Sequence, residues 1–292
     1  MPRRTADLWW LFSRQTVSVT EEESIIGAAM LMKKRNFRHL PVLDNGKVIG
    51  MLSAQDVIDS LNLAFLSSVS PSELLYALEI PIQRVMSFPV VAVERGDGLA
   101  DVVKKFIHHN LGALVVVNEV GDVEGIVTLR DLIGLIGTSS EPIGVEVSEL
   151  MNRKIMTITP EHKVSQAVQL MSRLRVRRLP TVGADGRVLG VVSSKDILRY
   201  IARLAGGESR LEFDGNVSQL MTSSPTTVGS KDDVREAATR MMIFGVGGLL
   251  IDDLPGTSLI TERDVVRGLA TKSLELAVKS MQFELETATR VM

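Results

Sequence analysis

A chain of 292 residues that is 45% hydrophobic and 23% charged can bury the cores of two ordinary domains, so a disordered polymer is excluded. Its net charge of −2 excludes bulk attraction to nucleic acid or an anionic membrane, and its lack of Cys excludes disulfides and thiolate metal sites. With only four His and no apolar run near the ~20 residues that span a bilayer, a soluble cytoplasmic protein without a metal site is expected.

In chain order, Leu8-Trp9-Trp10-Leu11-Phe12 follows two arginines but is too short for a signal-peptide core. Trp9, Trp10 and Phe12 read as packing residues. Beyond them one plan recurs four times. A β-branched strand opens each unit: Thr16-Val17-Ser18-Val19, Val90-Val91-Ala92-Val93, Ile155-Met156-Thr157-Ile158 and Thr226-Thr227-Val228. An amphipathic helix follows, with apolar residues at helical spacing in Ile25, Ala28, Ala29 and Met32, and again in Val164, Ala167, Val168 and Met171. A strand then runs into a turn, such as Asp44-Asn45-Gly46-Lys47 or Ala184-Asp185-Gly186-Arg187, and returns.

The returning strand ends in the most regular stretch of the chain. Gly50-Met51-Leu52-Ser53-Ala54-Gln55-Asp56 recurs as Gly125-Ile126-Val127-Thr128-Leu129-Arg130-Asp131 and as Gly190-Val191-Val192-Ser193-Ser194-Lys195-Asp196. The fourth copy, Ser258-Leu259-Ile260-Thr261-Glu262-Arg263-Asp264, lacks the leading Gly. The four carboxylates are 75, 65 and 68 residues apart. Ser or Thr three residues before Asp is a helix start, in which the hydroxyl takes an orphan amide. The same geometry gathers amides, a hydroxyl and a carboxylate at one helix N-terminus, a place suited to a phosphate and a ribose. A second apolar helical run closes each unit, giving β-α-β-β-α four times and an α/β (α+β) fold.

The first and third repeats share Arg38-His39-Leu40-Pro41 and Arg177-Arg178-Leu179-Pro180, whereas the second and fourth have Gly112-Ala113-Leu114 and Gly247-Gly248-Leu249. Duplication of a two-repeat unit explains the alternation, and one repeat has a sheet face to bury against another. This predicts a first pair over 1–138 (repeats 8–65 and 81–137) and a second over 139–292 (repeats 146–205 and 216–270). Thr138-Ser139-Ser140-Glu141-Pro142 marks the boundary. The connection Leu61 to Ile80 contains a helix start at Ser70-Pro71-Ser72-Glu73. Residues 271–292 read as a helix packed on the second pair, or as a homodimer contact.

These residues resemble the cystathionine-β-synthase (CBS) domain family over nearly the whole chain. They include leaders such as Leu150-Met151 and Leu220-Met221, the strand beginning before Pro, and Gly-x-x-Ser/Thr-x-x-Asp. The resemblance implies two Bateman modules of paired repeats, arranged as a disc as in the gamma subunit of AMP-activated kinase. It also implies clefts for AMP, ADP, ATP or S-adenosylmethionine. The family pattern has Asp accept from ribose hydroxyls and Ser/Thr meet a phosphate, and a carboxylate does suit a vicinal diol. Carried over, Thr128, Arg130 and Asp131 face Thr16, Arg38 and His39, while Thr261, Arg263 and Asp264 face Ile155, Arg177 and Arg178. The other clefts combine Ser53 and Asp56 with Ser87, Val90 and Gly112, and Ser193 and Asp196 with Thr222, Thr226 and Gly247. Because guanidinium forks hold phosphates well, the arginine-rich clefts at Asp131 and Asp264 are the expected phosphate sites.

The fourth repeat departs from the pattern at Ser258 and in Asp252-Asp253-Leu254-Pro255, two acids that would repel a phosphate if they faced it. No nucleophile elbow, Walker loop or catalytic dyad is present, so a non-enzymatic regulator of another protein is expected. Its rivals are a nucleic-acid binder using Lys33-Lys34-Arg35 and Arg173, Arg175, Arg177 and Arg178, and a scaffold with vestigial clefts.

Overall fold

The computed structural model describes residues 11–14, 16–208, 211–268 and 270. Trp9, Trp10 and the expected C-terminal helix over 271–292 lie outside these residues.

In the first repeat, α1 (Ile25–Arg35) starts where the Ser24 hydroxyl accepts from the Gly27 amide at 3.2 Å, and it buries Ile25, Ala28, Ala29 and Met32. The hairpin β1 (His39–Asp44) and β2 (Lys47–Ser53) turns through Asn45 and Gly46, both at positive φ, which matches the right-handed twist of the strands. The helix α2 (Ala54–Ser67) follows the first signature. The expected helix start in the connection is present as α3 (Pro71–Ala77), with Ser70 as its cap and Pro in its first turn.

The second repeat comprises β3 (Ala92–Glu94), α4 (Leu99–His108), β4 (Ala113–Val117), β5 (Val123–Thr128) and α5 (Leu129–Gly137). Its sheet order is β3-β4-β5, with β3 parallel and β5 antiparallel to the central strand. The third begins with α6 (Val147–Leu150), then α7 (Val164–Leu174), β6 (Arg178–Val182), β7 (Val188–Ser193) and α8 (Ser194–Ala205). The fourth has β8 (Thr222–Ser223), β9 (Thr227–Val228), α9 (Val234–Ile243), β10 (Gly248–Ile251) and β11 (Leu259–Thr261), then a helical run over 262–268. The opening strands expected at 16–19 and 155–158 shrink to single bridges, Val19 to Val42 and Ile158 to Thr181.

The chain divides into two compact units, and each takes one repeat from either half. Of the described residues, one contains those up to 16, 91–155 and those from 226 on, hence the second and fourth repeats; the other contains those in 17–90 and 156–225, hence the first and third. Each has its own apolar core. In the first–third unit α1 packs on α8 and α2 on α7; in the second–fourth unit α5 packs on α9. The apolar helix stripes read from the sequence thus meet the stripe of the repeat two places away.

The leaders add a second relation. Ser13 bridges Ile126, Ser87 bridges Met51, Asn152 bridges Leu259 and Thr222 pairs with Val191. In every case the partner lies two residues before the signature Ser or Thr. The first and second repeats exchange leaders, and so do the third and fourth. This explains the signature glycine. A Cβ on Gly125 would lie 2.3 Å from the Phe12 ring and 2.7 Å from the Ser13 carbonyl oxygen. One on Gly190 would lie 2.7 Å from the Thr222 carbonyl oxygen, and one on Gly50 2.3 Å from the Met86 sulfur. Phe12 is therefore a packing residue, as expected, and is buried. The fourth repeat keeps the register despite Ser258: the Asn152 amide donates to the Leu259 carbonyl at 2.8 Å, and the Leu259 amide returns the bond at 3.0 Å.

Candidate ligand sites at the four helix starts

All four signatures form the same cap. The backbone amide and side-chain hydroxyl of Ser53 donate to Asp56 Oδ2 at 2.7 and 2.8 Å. The corresponding bonds are 2.7 and 2.7 Å from Thr128 to Asp131, 2.8 and 2.6 Å from Ser193 to Asp196, and 2.9 and 2.6 Å from Thr261 to Asp264. One carboxylate oxygen is thus committed to the helix start, and the other decides what else the site can do.

In Asp196, which is buried, Oδ1 is occupied by the Arg199 guanidinium one helical turn on. Among the described residues no hydrogen bond reaches Oδ1 of Asp56, Asp131 or Asp264. Burial pushes the Asp56 and Asp131 carboxyls above their usual range. The bonds from Ser53 and Thr128 pull the other way; at Asp56 the neighbouring Asp59 adds to the rise.

The basic residues of the expected phosphate sites are placed unevenly. Arg130 Nη2 donates to Glu262 Oε1 and to the Gly245 carbonyl, both at 3.2 Å. Glu262 is only 2% exposed, so this ion pair is largely shielded from water. Arg263 is half-buried, and its Nε has no hydrogen-bond partner among the described residues. Its burial lowers the guanidinium pKa, Asp264 opposes the shift, and Arg267 adds to it. Thr16 has a buried hydroxyl with no partner among the described residues, an unmet polar atom in the unit that holds Asp131.

The units group several expected site residues. Thr16 falls with Thr128 and Asp131, Ile155 with Thr261 and Asp264, Ser87 and Val90 with Ser53 and Asp56, and Thr222 with Ser193 and Asp196. Thr226 belongs to the second–fourth unit, apart from Ser193. Arg38, His39, Arg177 and Arg178 belong to the first–third unit, whereas Asp131 and Asp264 belong to the other. The two suspect acids of the fourth repeat are engaged locally. Asp252 accepts from the Thr227 hydroxyl at 2.6 Å, and Asp253 accepts from the Ser230 amide and hydroxyl. Sequence reasoning passed over Glu262 and Arg199. Glu262 had a signal, since the equivalent positions are Ala54, Leu129 and Ser194.

Among the described residues no group of three or more His, Cys, Asp or Glu could hold a metal ion, and no helix is long and apolar enough to cross a membrane. The CBS domain model matches residues 7–63, 82–138, 147–203 and 217–271, the four repeats themselves. The chain belongs to the CBS domain family. An uncharacterised 33.4 kDa protein encoded in a ribosomal RNA operon of Thermofilum pendens is 28% identical over 284 residues, spanning 93% of this chain and 92% of that one. The crystal structure of protein MJ1225 from Methanocaldococcus jannaschii, described as a candidate archaeal homologue of g-AMPK, superposes with a TM-score of 0.76 at 23% identity. That match covers 91% of this chain and 100% of the other. A conserved Pyrococcus horikoshii protein of uncharacterised function gives a TM-score of 0.61 at 20% identity, over 89% and 97% of the two chains. At these identities the structural matches show the shared CBS fold.

Proposed function

We propose that this CBS protein is a non-enzymatic sensor of an adenosine-containing ligand (AMP, ADP, ATP or S-adenosylmethionine) and passes the change to a protein partner. The carrying observation is the open Oδ1 of Asp131 and Asp264, each beside a hydroxyl and the amides of a helix start. An acceptor-only carboxylate oxygen suits a ribose diol, and the helix start suits a phosphate. Asp56 offers the same carboxylate without an adjacent arginine in its signature. Asp196 is the weakest of the four because Arg199 occupies its second oxygen.

The proposed module pairs the first repeat with the second and the third with the fourth, and the exchanged leaders support it. The leader of one repeat continues into the segment that, on the family pattern, completes the cleft of the other. The orphaned hydroxyl of Thr16 supports a ligand at Asp131. On the same pattern Ile155, in the unit that holds Asp264, completes the site there. A ligand that contacts both repeats of a module favours the arrangement offering both sets of contacts, and by that difference in affinity shifts the population a partner meets.

Thermal unfolding with millimolar AMP, ATP and S-adenosylmethionine tests this reading. A ligand at ~100 times its Kd adds about 2.7 kcal/mol of stability. A rise in Tm with at least one of the three is expected, and no rise with any of them contradicts the proposal.

A further inference from the structure

The helix that follows the first signature ends differently from its counterparts. α2 has 14 residues, against 9 in α5 and 12 in α8, and its last turns carry Leu63 and Leu66 on one face. At the position of Leu63 the second repeat has Thr138 and the third has Arg203, the polar outer residues expected of a surface helix. The chain then turns through Val69 into α3, which presents Tyr76. Leu63, Leu66, Val69 and Tyr76 are 66–83% exposed. The turn is held in place: the Val69 amide donates to Glu73 Oε2 at 2.8 Å, and the Glu73 amide donates to the Ser70 hydroxyl at 3.3 Å. Single exposed apolar residues are ordinary, but four on one ordered elbow mark a surface that another molecule covers.

We infer that the elbow between α2 and α3 docks a protein segment with apolar side chains flanked by Lys and Arg, a cationic amphipathic helix. The inference rests on the protein partner of the proposed function and assigns that partner's surface and chemistry. It does not depend on which ligand the sites take.

Charge selects the occupant. From Ala54 to Ile80 the chain has Asp56, Asp59, Glu73 and Glu79 and no Lys, Arg or His. Asp56 is held in its cap and Asp59 pairs with Arg175, so the charges of the elbow itself are Glu73 and Glu79, both exposed. The adjoining elements do not reverse the sign. α3 packs on α8, whose Arg199 and Arg203 are paired with Asp196 and Glu208. The Phe65 ring of α2 lies 6.0 Å from that of Phe213, which follows the exposed Glu212. Arg210 lies outside the described residues. An acidic surface repels a nucleic-acid backbone. It also repels its own copy, because a twofold contact sets one chain's Glu73 and Glu79 against the other's. A segment with basic residues around apolar anchors meets both the charge and the exposed leucines.

Fluorescence anisotropy of a labelled synthetic helix of Leu and Lys, titrated with the full chain, tests this beside a peptide in which every Lys is Glu. The Lys peptide should bind, and the Glu peptide about tenfold or more weakly. The double variant Leu66→Ser, Tyr76→Ser should lose about tenfold or more for the Lys peptide, the scale of interface anchors. Glu79→Lys should weaken it as well. Ile243→Ser, Phe244→Ser alters the exposed apolar end of α9 in the other unit and should stay within about twofold of wild type. The substituted side chains are exposed, so unfolding midpoints should hold, and the elbow variant should keep the AMP-dependent Tm shift of the proposed sensor. Absent binding of the Lys peptide, equal binding of the two peptides, or equal losses in the two double variants overturns the docking surface and leaves the ligand sites standing. A wild-type dimer in sedimentation that the elbow variant dissociates makes the occupant a second copy and overturns the inference too.

Discussion

The two compact units are built from the same repeat, yet they handle charge at the signature helices differently. In the second–fourth unit Arg130 spans from one repeat to the other and ends on the buried Glu262. In the first–third unit Gln55 makes the corresponding reach to the Met171 carbonyl at 3.4 Å, and Arg175 pairs with Asp59 at 2.7 Å, its arginine 71% exposed. The shared fold fixes the cap, a Ser or Thr bonded to Oδ2 of its Asp, in all four places. What differs is the residue between hydroxyl and carboxylate: Arg130 meets a shielded carboxylate, whereas Gln55 meets a backbone carbonyl.

The largest expected effect separates these two ion pairs. Arg130→Ala removes one partner of the buried Glu262 and should cost about 1.5–3 kcal/mol, the range for a hydrogen bond to a charged group. Arg175→Ala removes a water-screened pair and should cost less than about 1 kcal/mol. Urea unfolding of both variants measures the difference, and equal losses would erase the contrast.

The signature glycines give a smaller contrast of the same kind. Gly125→Ala drives a methyl toward the Ser13 backbone carbonyl, which cannot rotate away, and should cost about 1–3 kcal/mol. Gly50→Ala meets only the flexible side chain of Met86 and should cost less than about 1 kcal/mol. Their unfolding midpoints should rank accordingly. The reverse order would mean that the exchanged leader in the second–fourth unit yields more easily than its geometry implies.

The smallest effect concerns protons. Burial raises the folded-state pKa of Asp56 and Asp131 above the reference of 3.8. Between that reference and the raised folded value the native chain binds more protons than the unfolded chain. The contribution of these groups to stability therefore declines as pH rises through the window, and the full penalty of the buried charge is present above it. Carboxyl NMR titrations should give midpoints above 3.8 for both residues, and a midpoint at or below it for either would contradict the burial argument.

Much of this architecture was legible in the sequence because it is local. Ile25, Ala28, Ala29 and Met32 lie on one helical stripe, and all are buried. Asn45-Gly46 turns a hairpin because both residues tolerate positive φ. Each Ser/Thr-x-x-Asp is the cap its spacing implies. The opening strands at 16–19 and 155–158 were over-read: β-branched composition favours an extended chain, but each contributes one bridging residue to its sheet. The leader exchange and the Arg130–Glu262 pair were not legible. The first is a short contact with no periodicity, and the second joins residues 132 apart. The glycine before each of the first three signatures was the trace of the exchange. It marks a close approach by another segment, although the sequence does not say which.

The central claim, that Asp131 and Asp264 carry ligand binding, is tested most directly by the AMP-dependent Tm shift of the wild-type chain beside the Asp131→Ala, Asp264→Ala double variant and Asp196→Ala. The account predicts a rise for the wild type, no rise for the double variant, and a rise close to wild type for Asp196→Ala, whose second oxygen Arg199 already occupies. A double variant that shifts as far as the wild type would contradict it.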